Sequence, residues 1–194
     1  MEALRSKLPS KDRIRIAARE LFATNGFHQT SMSELAAAAD MSVGLIYRLF
    51  KSKDEIIEAI VRADADDRLA EVDEVRRQLQ KGELTISQAF EKLFLRVIGN
   101  EDDALSFDIL AEGFRNDQVA ETFGYMCRVL RDYLREFACA ANSDLDGEEL
   151  EGATEMLLGC LFGLGHRSIS MPSLSAERTA EFSARMVIAA LKGM

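Results

Sequence analysis

Apolar residues recur along this chain at spacings of three and four and nowhere in sustained alternation, so the pattern predicts helices throughout. Ile14, Ala17, Ala18, Leu21 and Phe22 form the stripe of a first helix. Ser10 is placed to cap it, and Gly26 to end it in a left-handed turn. Ser31 and Glu34 have the S-x-x-E spacing of a capping box and open a short second helix through Met32, Leu35, Ala36 and Ala39. "ADMS" then turns the chain, with Asp40 as the residue that tolerates positive φ, and Ser42 can cap a third helix running to about Phe50. A second box, Ser52 with Glu55, starts a long fourth helix through Ile56, Ile57, Ile60 and Val61 to about Gln80. Thr85 with Gln88 starts a fifth, carrying Phe90, Leu93, Phe94, Val97 and Ile98. A sixth covers about 102–115 with Phe107, Leu110 and Phe114, and a seventh carries Val119, Phe123, Met126, Cys127, Leu130, Leu134 and Phe137. The eighth begins after Asp146 and stops before Pro172; the ninth covers about 175–192 with Phe182, Met186, Ala189 and Ala190. The expected fold class is all-α, with about nine helices.

The third helix is unusual in what it turns outward. At about 100° per residue, Val43, Gly44, Tyr47 and Arg48 share one arc, and Leu45, Ile46, Leu49 and Phe50 fill the opposite one. The apolar arc anchors the helix. The other presents a tyrosine and an arginine.

Composition narrows the function classes. With 194 residues, 47% hydrophobic and 29% charged, the chain can bury one substantial core or two unequal ones. Its longest mostly apolar run, "MLLGCLFGLG" over 156–165, is about half of the roughly 20 residues that cross a bilayer. The first residues have no apolar core of a secretion signal, so a cytoplasmic protein without a membrane partner is expected. Three cysteines, Cys127, Cys139 and Cys160, form no C-x-x-C pair and read as small hydrophobes within helices. His28 and His166 belong to no H-E-x-x-H pattern, and no glycine-rich phosphate loop or nucleophile elbow is present. No catalytic residue, metal or cofactor is therefore expected.

Charge is distributed unevenly within the net −9. Residues 1–53 hold nine basic and five acidic side chains and carry +4, which leaves −13 on the remainder. A basic head on an acidic body points to a polyanion met by the head alone.

Three short helices, the second and third joined by a tight turn, make a helix-turn-helix. The stretch "RIAARELFATNGFHQTSMSELAAAADMSVGLIYRLFKSKDEIIEAI" resembles the N-terminal domain of TetR-family transcriptional regulators. The resemblance lies in Ala18, Leu21, Phe22, Gly26 and Phe27, then "TSMSELA", then Gly44, Tyr47, Phe50, Lys53 and Asp54. It covers about a quarter of the chain; the rest matches the family in layout only. Asp40 stands where the family usually has glycine, and Leu49 where many members carry His or Tyr, which removes one phosphate contact.

The resemblance implies a DNA-binding domain over 1–53 and a helical ligand-binding and dimerisation domain over 54–194. It implies that Ser31 and Ser42 begin the two helices of the motif, where hydroxyls and free amides meet phosphate. Tyr47 and Lys53 would contact phosphates, and Val43, Gly44 and Arg48 would approach base edges. Lys11, Arg13 and Arg15 read as a solvated face. Partners would be double-stranded DNA with a palindromic operator, a small-molecule effector and a second copy of the chain.

For the dimer, the eighth helix is apolar on every side, and Gly159, Gly163 and Gly165 would admit a neighbouring helix. The expected interface is Leu157, Cys160, Leu161 and Leu164 with Phe182, Met186 and Ala189 of the ninth helix. The resemblance also implies a pocket between helices five to eight. Its candidate lining is Phe94, Phe107, Leu110, Phe114, Phe123, Met126 and Met156, with Arg115, Glu112 and His166 as polar groups. Two rival readings remain at this level: an all-α binding protein or enzyme whose helix-turn-helix is only structural, and a helix-turn-helix used for protein contact.

Overall fold

The computed structural model describes residues 8–99 and 103–194. Arg5 and Lys7 of the basic head lie outside them. Among the described residues there are nine α-helices: α1 Ser10–Asn25, α2 Met32–Ala38, α3 Val43–Leu49, α4 Lys53–Gln80, α5 Ile86–Ile98, α6 Asp103–Gly113, α7 Asp117–Ala141, α8 Gly147–Gly165 and α9 Ala176–Lys192. A short 3-10 turn, Arg167–Ser170, lies between the last two. None of the helices is long and apolar enough to cross a membrane.

Side-chain caps start the helices largely where the spacing rules place them. The boxes Ser31–Glu34 and Thr85–Gln88 close in both directions. Ser52 accepts from the amide of Glu55 at 3.3 Å, but the Glu55 carboxylate reaches the amide of Lys51 rather than that of Ser52. The start of α1 departs from expectation. Pro9, not Ser10, is the cap, its carbonyl accepting from the amides of Asp12 and Arg13 at 3.0 and 3.1 Å. Pro9 supplies an extended residue with φ −52 and ψ 144, so Ser10 is already helical and its hydroxyl caps nothing. Gly26 has the expected positive φ of 83, but its ψ of 151 is extended rather than left-handed helical. Glycine alone occupies that region readily.

The chain packs as two units, residues 1–66 with 102–124, and 67–101 with 125–194. The first core gathers Ile14, Ala18, Phe22, Leu35 and Ile46 with Ile56, Ile57, Ile60 and Val61 of α4 and with Leu105, Ile109 and Val119. The division after residue 53 expected from sequence is drawn differently here. The first turns of α4 are apolar on the side that faces this core, and α6 completes it. The second core is built on Phe90, Phe94, Leu134, Phe137, Leu157, Leu158, Leu161 and Leu191. Burial pushes the thiols of Cys127 and Cys160 above the ordinary cysteine range, which favours their protonated form.

Candidate nucleic-acid interface

The turn between α2 and α3 decides how α3 is presented. It closes as a Schellman motif: the amide of Met41 donates to Ala36 O at 2.9 Å and that of Asp40 to Ala37 O at 3.0 Å. Asp40 sits at φ 52, the left-handed position where glycine would be unstrained. Arg13 holds this turn from α1, donating to Ala39 O at 2.6 Å and Asp40 O at 3.0 Å. Reading Arg13 as part of a solvated face is therefore corrected. Its guanidinium takes up carbonyls left free by the turn, across 26 residues of sequence.

On α3 the two arcs separate as the periodicity requires. Ile46 is fully buried and Phe50 nearly so. Val43 is 42% and Tyr47 52% exposed, and Arg48 is exposed as well. Neither Tyr47 nor Arg48 makes a hydrogen bond or ion pair among the described residues. A Cβ at Gly44 would meet nothing within 4 Å, so internal packing does not require glycine there. The bare backbone at 44 leaves room for something outside the chain.

Ser31 and Ser42 both stand exposed at helix starts. Ser31 Oγ accepts from the Glu34 amide at 3.2 Å, and Ser42 Oγ accepts from the Leu45 amide at 3.2 Å. Each hydroxyl keeps its proton for donation outward. Hydrogen bonds from the Ser31 side chain and then the Ser31 backbone hold the Glu34 carboxyl below the usual carboxylate range.

Lys53 is placed less freely than its neighbours. Its ammonium is half-buried, donates to Phe27 O at 2.7 Å and His28 O at 3.0 Å, and lies 4.9 Å from the Phe27 ring centre. Two of its three protons are thereby used within the chain. By contrast Lys51 is exposed, and Lys11 stands exposed over the Phe50 ring at 5.6 Å. These two cations flank the end of α3.

Residues 14–60, which contain α1–α3 and the start of α4, match the family model for bacterial regulatory proteins of the tetR family. Over those residues, about a quarter of the chain, it is similar to that family. Among curated relatives, the HTH-type transcriptional regulator UidR of Escherichia coli (strain K12) is 36% identical over 112 residues. That match covers 58% of this chain and 56% of UidR, so the chain spans little more than half the length of that relative. The solved structure of Salmonella enterica GusR superposes with TM-score 0.71 at 28% identity, covering 97% of each chain. A transcriptional regulator of Pseudomonas aeruginosa PAO1 reaches TM-score 0.81 at 17% identity, covering 99% of this chain and 96% of that one, a likeness of fold.

Outside the helix-turn-helix head, the expected sites are redistributed. On α8, Leu157 and Leu161 are buried in the second core, at 2% and 7% exposure, and Leu164 packs partly against it. They belong to the chain's own interior. The outward arc is instead Met156, Gly159, Cys160 and Gly163, with Met156 68% exposed and open space at both glycines. An "apolar all round" helix thus has two apolar sides with different occupants. On α9, Met186 is 72% exposed, Ala189 is exposed, and Phe182 is half-buried with the guanidinium groups of Arg178 and Arg185 over its ring.

The expected pocket lining is not gathered within either unit. Phe94 is core, 5.8 Å from Phe90. Phe114 is 92% and Phe107 40% exposed, Leu110 and Phe123 are half-buried, and Arg115 stands 3.5 Å from Glu112. All six of these last residues lie in the first unit, whereas Met126, Met156 and His166 belong to the second. His166 is half-buried, with Nδ1 2.8 Å from Phe162 O. An open cleft of about 280 Å³ in the second unit is lined by Leu84, Gln88, Lys92, Leu95 and Glu177, among others, and by none of the expected pocket residues.

Proposed function

We propose that this chain is a DNA-binding transcriptional regulator, a homodimeric repressor that holds a palindromic operator and is released by a small-molecule effector. One observation carries the DNA reading. The face of α3 formed by Val43, Gly44, Tyr47 and Arg48 is exposed and unpaired, yet it is held on a buried anchor. A polar face kept rigid and unsatisfied has its partner outside the chain. Arg48 suits the paired acceptors of guanine, and Tyr47, Ser31 and Ser42 suit phosphate oxygens. Lys11 and Lys51 extend that phosphate-binding surface. For Lys53 one free proton supports at most a shared contact.

The dimer reading now rests on the outward arc of α8 with Met186 and Ala189 of α9 rather than on Leu157 and Leu161. Two copies related by a two-fold axis would place two α3 helices to read half-sites about one DNA turn apart. The effector reading rests on the exposed aromatic residues Phe107 and Phe114. Release by an effector needs about 1 to 3 kcal/mol of coupling.

The test is selection from random duplexes followed by anisotropy binding at several salt concentrations. A palindromic sequence should be enriched, and log K should fall against log salt with a slope of roughly −0.9 per phosphate contact. Enrichment of no sequence, with affinity indifferent to salt, would refute the reading. Arg48→Ala should flatten preference at one base pair per half-site, worth about 1–3 kcal/mol.

A further inference from the structure

Glu112 is the one carboxylate buried among the described residues, at 5% exposure, and nothing in the DNA reading uses it. It lies on α6, one turn after Asp108, and both carboxylates address two adjacent residues, Phe27 and His28, of the loop 26–31 between α1 and α2. The amide of Phe27 donates to Asp108 Oδ2 at 3.2 Å, and His28 Nε2 lies 3.4 Å from Glu112 Oε1. From the other side Lys53, at the start of α4, takes the carbonyls of these same residues. Phe27 itself is 5% exposed and packs edge-on to Phe22 of α1 at 5.2 Å. Four elements therefore meet at this loop: α1 and α2, which it joins, α4 through an ammonium, and α6 through two carboxylates.

We propose that Asp108 and Glu112 are positioning residues for the DNA-binding face. They clasp the Phe27–His28 loop and thereby fix the start of α4, three residues after Phe50, and so the seating of α3. The proposal rests on the reading of α3 as a DNA-contacting helix. Its physical basis is that each polar backbone atom of the loop that is named above has a partner from a different helix. The loop cannot shift against α6 without breaking a bond to a charged group, and such bonds are the stronger kind. Arg115, 3.5 Å from Glu112, is the other cation facing this carboxylate. It is exposed and lies in the turn directly after α6, two residues past its end, so it does not tie α6 to the loop.

The experiment uses the full chain and compares Asp108→Ala, Asp108→Asn and Glu112→Gln. Amide hydrogen exchange is read at Phe27 and across 26–30, and affinity is measured for a duplex obtained by selection. Asp108→Ala should speed exchange at Phe27 roughly tenfold and weaken DNA binding by a similar factor. Asp108→Asn keeps an acceptor for the amide and should restore both, which a loss of general stability would not do. Glu112→Gln, which removes the charge that faces His28, should act in the same direction more weakly. If Asp108→Ala fails to fold, His28→Ala removes an exposed ring and probes the clasp from its other end, with a few-fold effect expected on both readouts. Unchanged protection at Phe27 would overturn the clasp. Lost protection with unchanged DNA affinity would overturn the positioning role. A wild-type chain that binds no duplex would overturn the DNA reading and the positioning role together, with exchange still deciding whether the clasp exists.

Discussion

Replacing Arg13 by methionine removes the guanidinium from the turn of the helix-turn-helix while keeping most of the side chain's length and apolar contact. Three bonds are lost, and they are not equal. The bond to Ala39 O, at 2.6 Å, reaches a residue that is 4% exposed, so water cannot take its place. The bond to Asp40 O at 3.0 Å is solvent-exposed, and the carboxylate of Asp40 at 3.4 Å is fully exposed. Water replaces both, and the ion pair is too exposed to contribute measurably. A hydrogen bond from a charged donor contributes about 1.5–3 kcal/mol, so Arg13→Met should cost about 2 kcal/mol, nearly all through Ala39. With a urea dependence of about 2 kcal/mol/M, the midpoint of the transition of the first unit should fall by roughly 1 M. Asp40→Asn, which keeps a residue tolerant of positive φ and removes only the charge, should leave that midpoint unchanged. Equal losses in the two variants would refute the argument, because the ion pair and not the carbonyl would then be what matters. On the proposed function, DNA affinity should fall in Arg13→Met even where the protein is fully folded, since the turn sets the angle of α3.

Other outcomes follow from the packing. Leu157→Ala should destabilise the chain itself by about 2–5 kcal/mol, whereas Met186→Glu should leave each chain folded and, on the proposed dimer, shift sedimentation toward monomer. Leu105→Ala should cost a similar 2–5 kcal/mol and weaken the first unit, although position 105 lies far in sequence from the helix-turn-helix. The capping box of α2 depends on an ionised Glu34, whose folded-state pKa is lowered first by the Ser31 hydroxyl bond. Its contribution is present above the ordinary glutamate range and is lost as pH falls through the lowered value. Glu34→Gln should remove that acid-side dependence from the α2 amide exchange.

Much of the fold was legible because its signals are local. Ser31 with Glu34 and Thr85 with Gln88 sit three residues apart, and the stripe from Ile14 to Phe22 is a matter of counting. Likewise, the exposed arc of α3 follows from the helical period and the single anchor Ile46. Long-range partners were not legible. Nothing in the spacing of Arg13 shows that it will meet a carbonyl 26 residues away, or that Asp108 will meet an amide 81 residues away. The lysine at 53 has the same composition signal as the one at 51, but the Phe27–His28 carbonyls retain the first and leave the second outside. For α8 the difficulty is different. Hydropathy records that Leu157 and Met156 are both apolar, and only the position of the neighbouring helices says which one the chain itself covers.

The interleaving of the first unit also has a consequence during synthesis. A ribosome that has made residues 1–66 has delivered every side chain proposed to face DNA, but it has not delivered Leu105, Ile109, Val119 or Phe123, on which the same core closes. At roughly 5–20 residues per second the missing part follows within about 3–12 s. Until then the nascent head lacks part of its interior, and a product terminated early carries the recognition helix without the support that seats it. Prematurely ended translation should therefore yield chains that are cleared by proteases rather than ones that persist with an exposed α3.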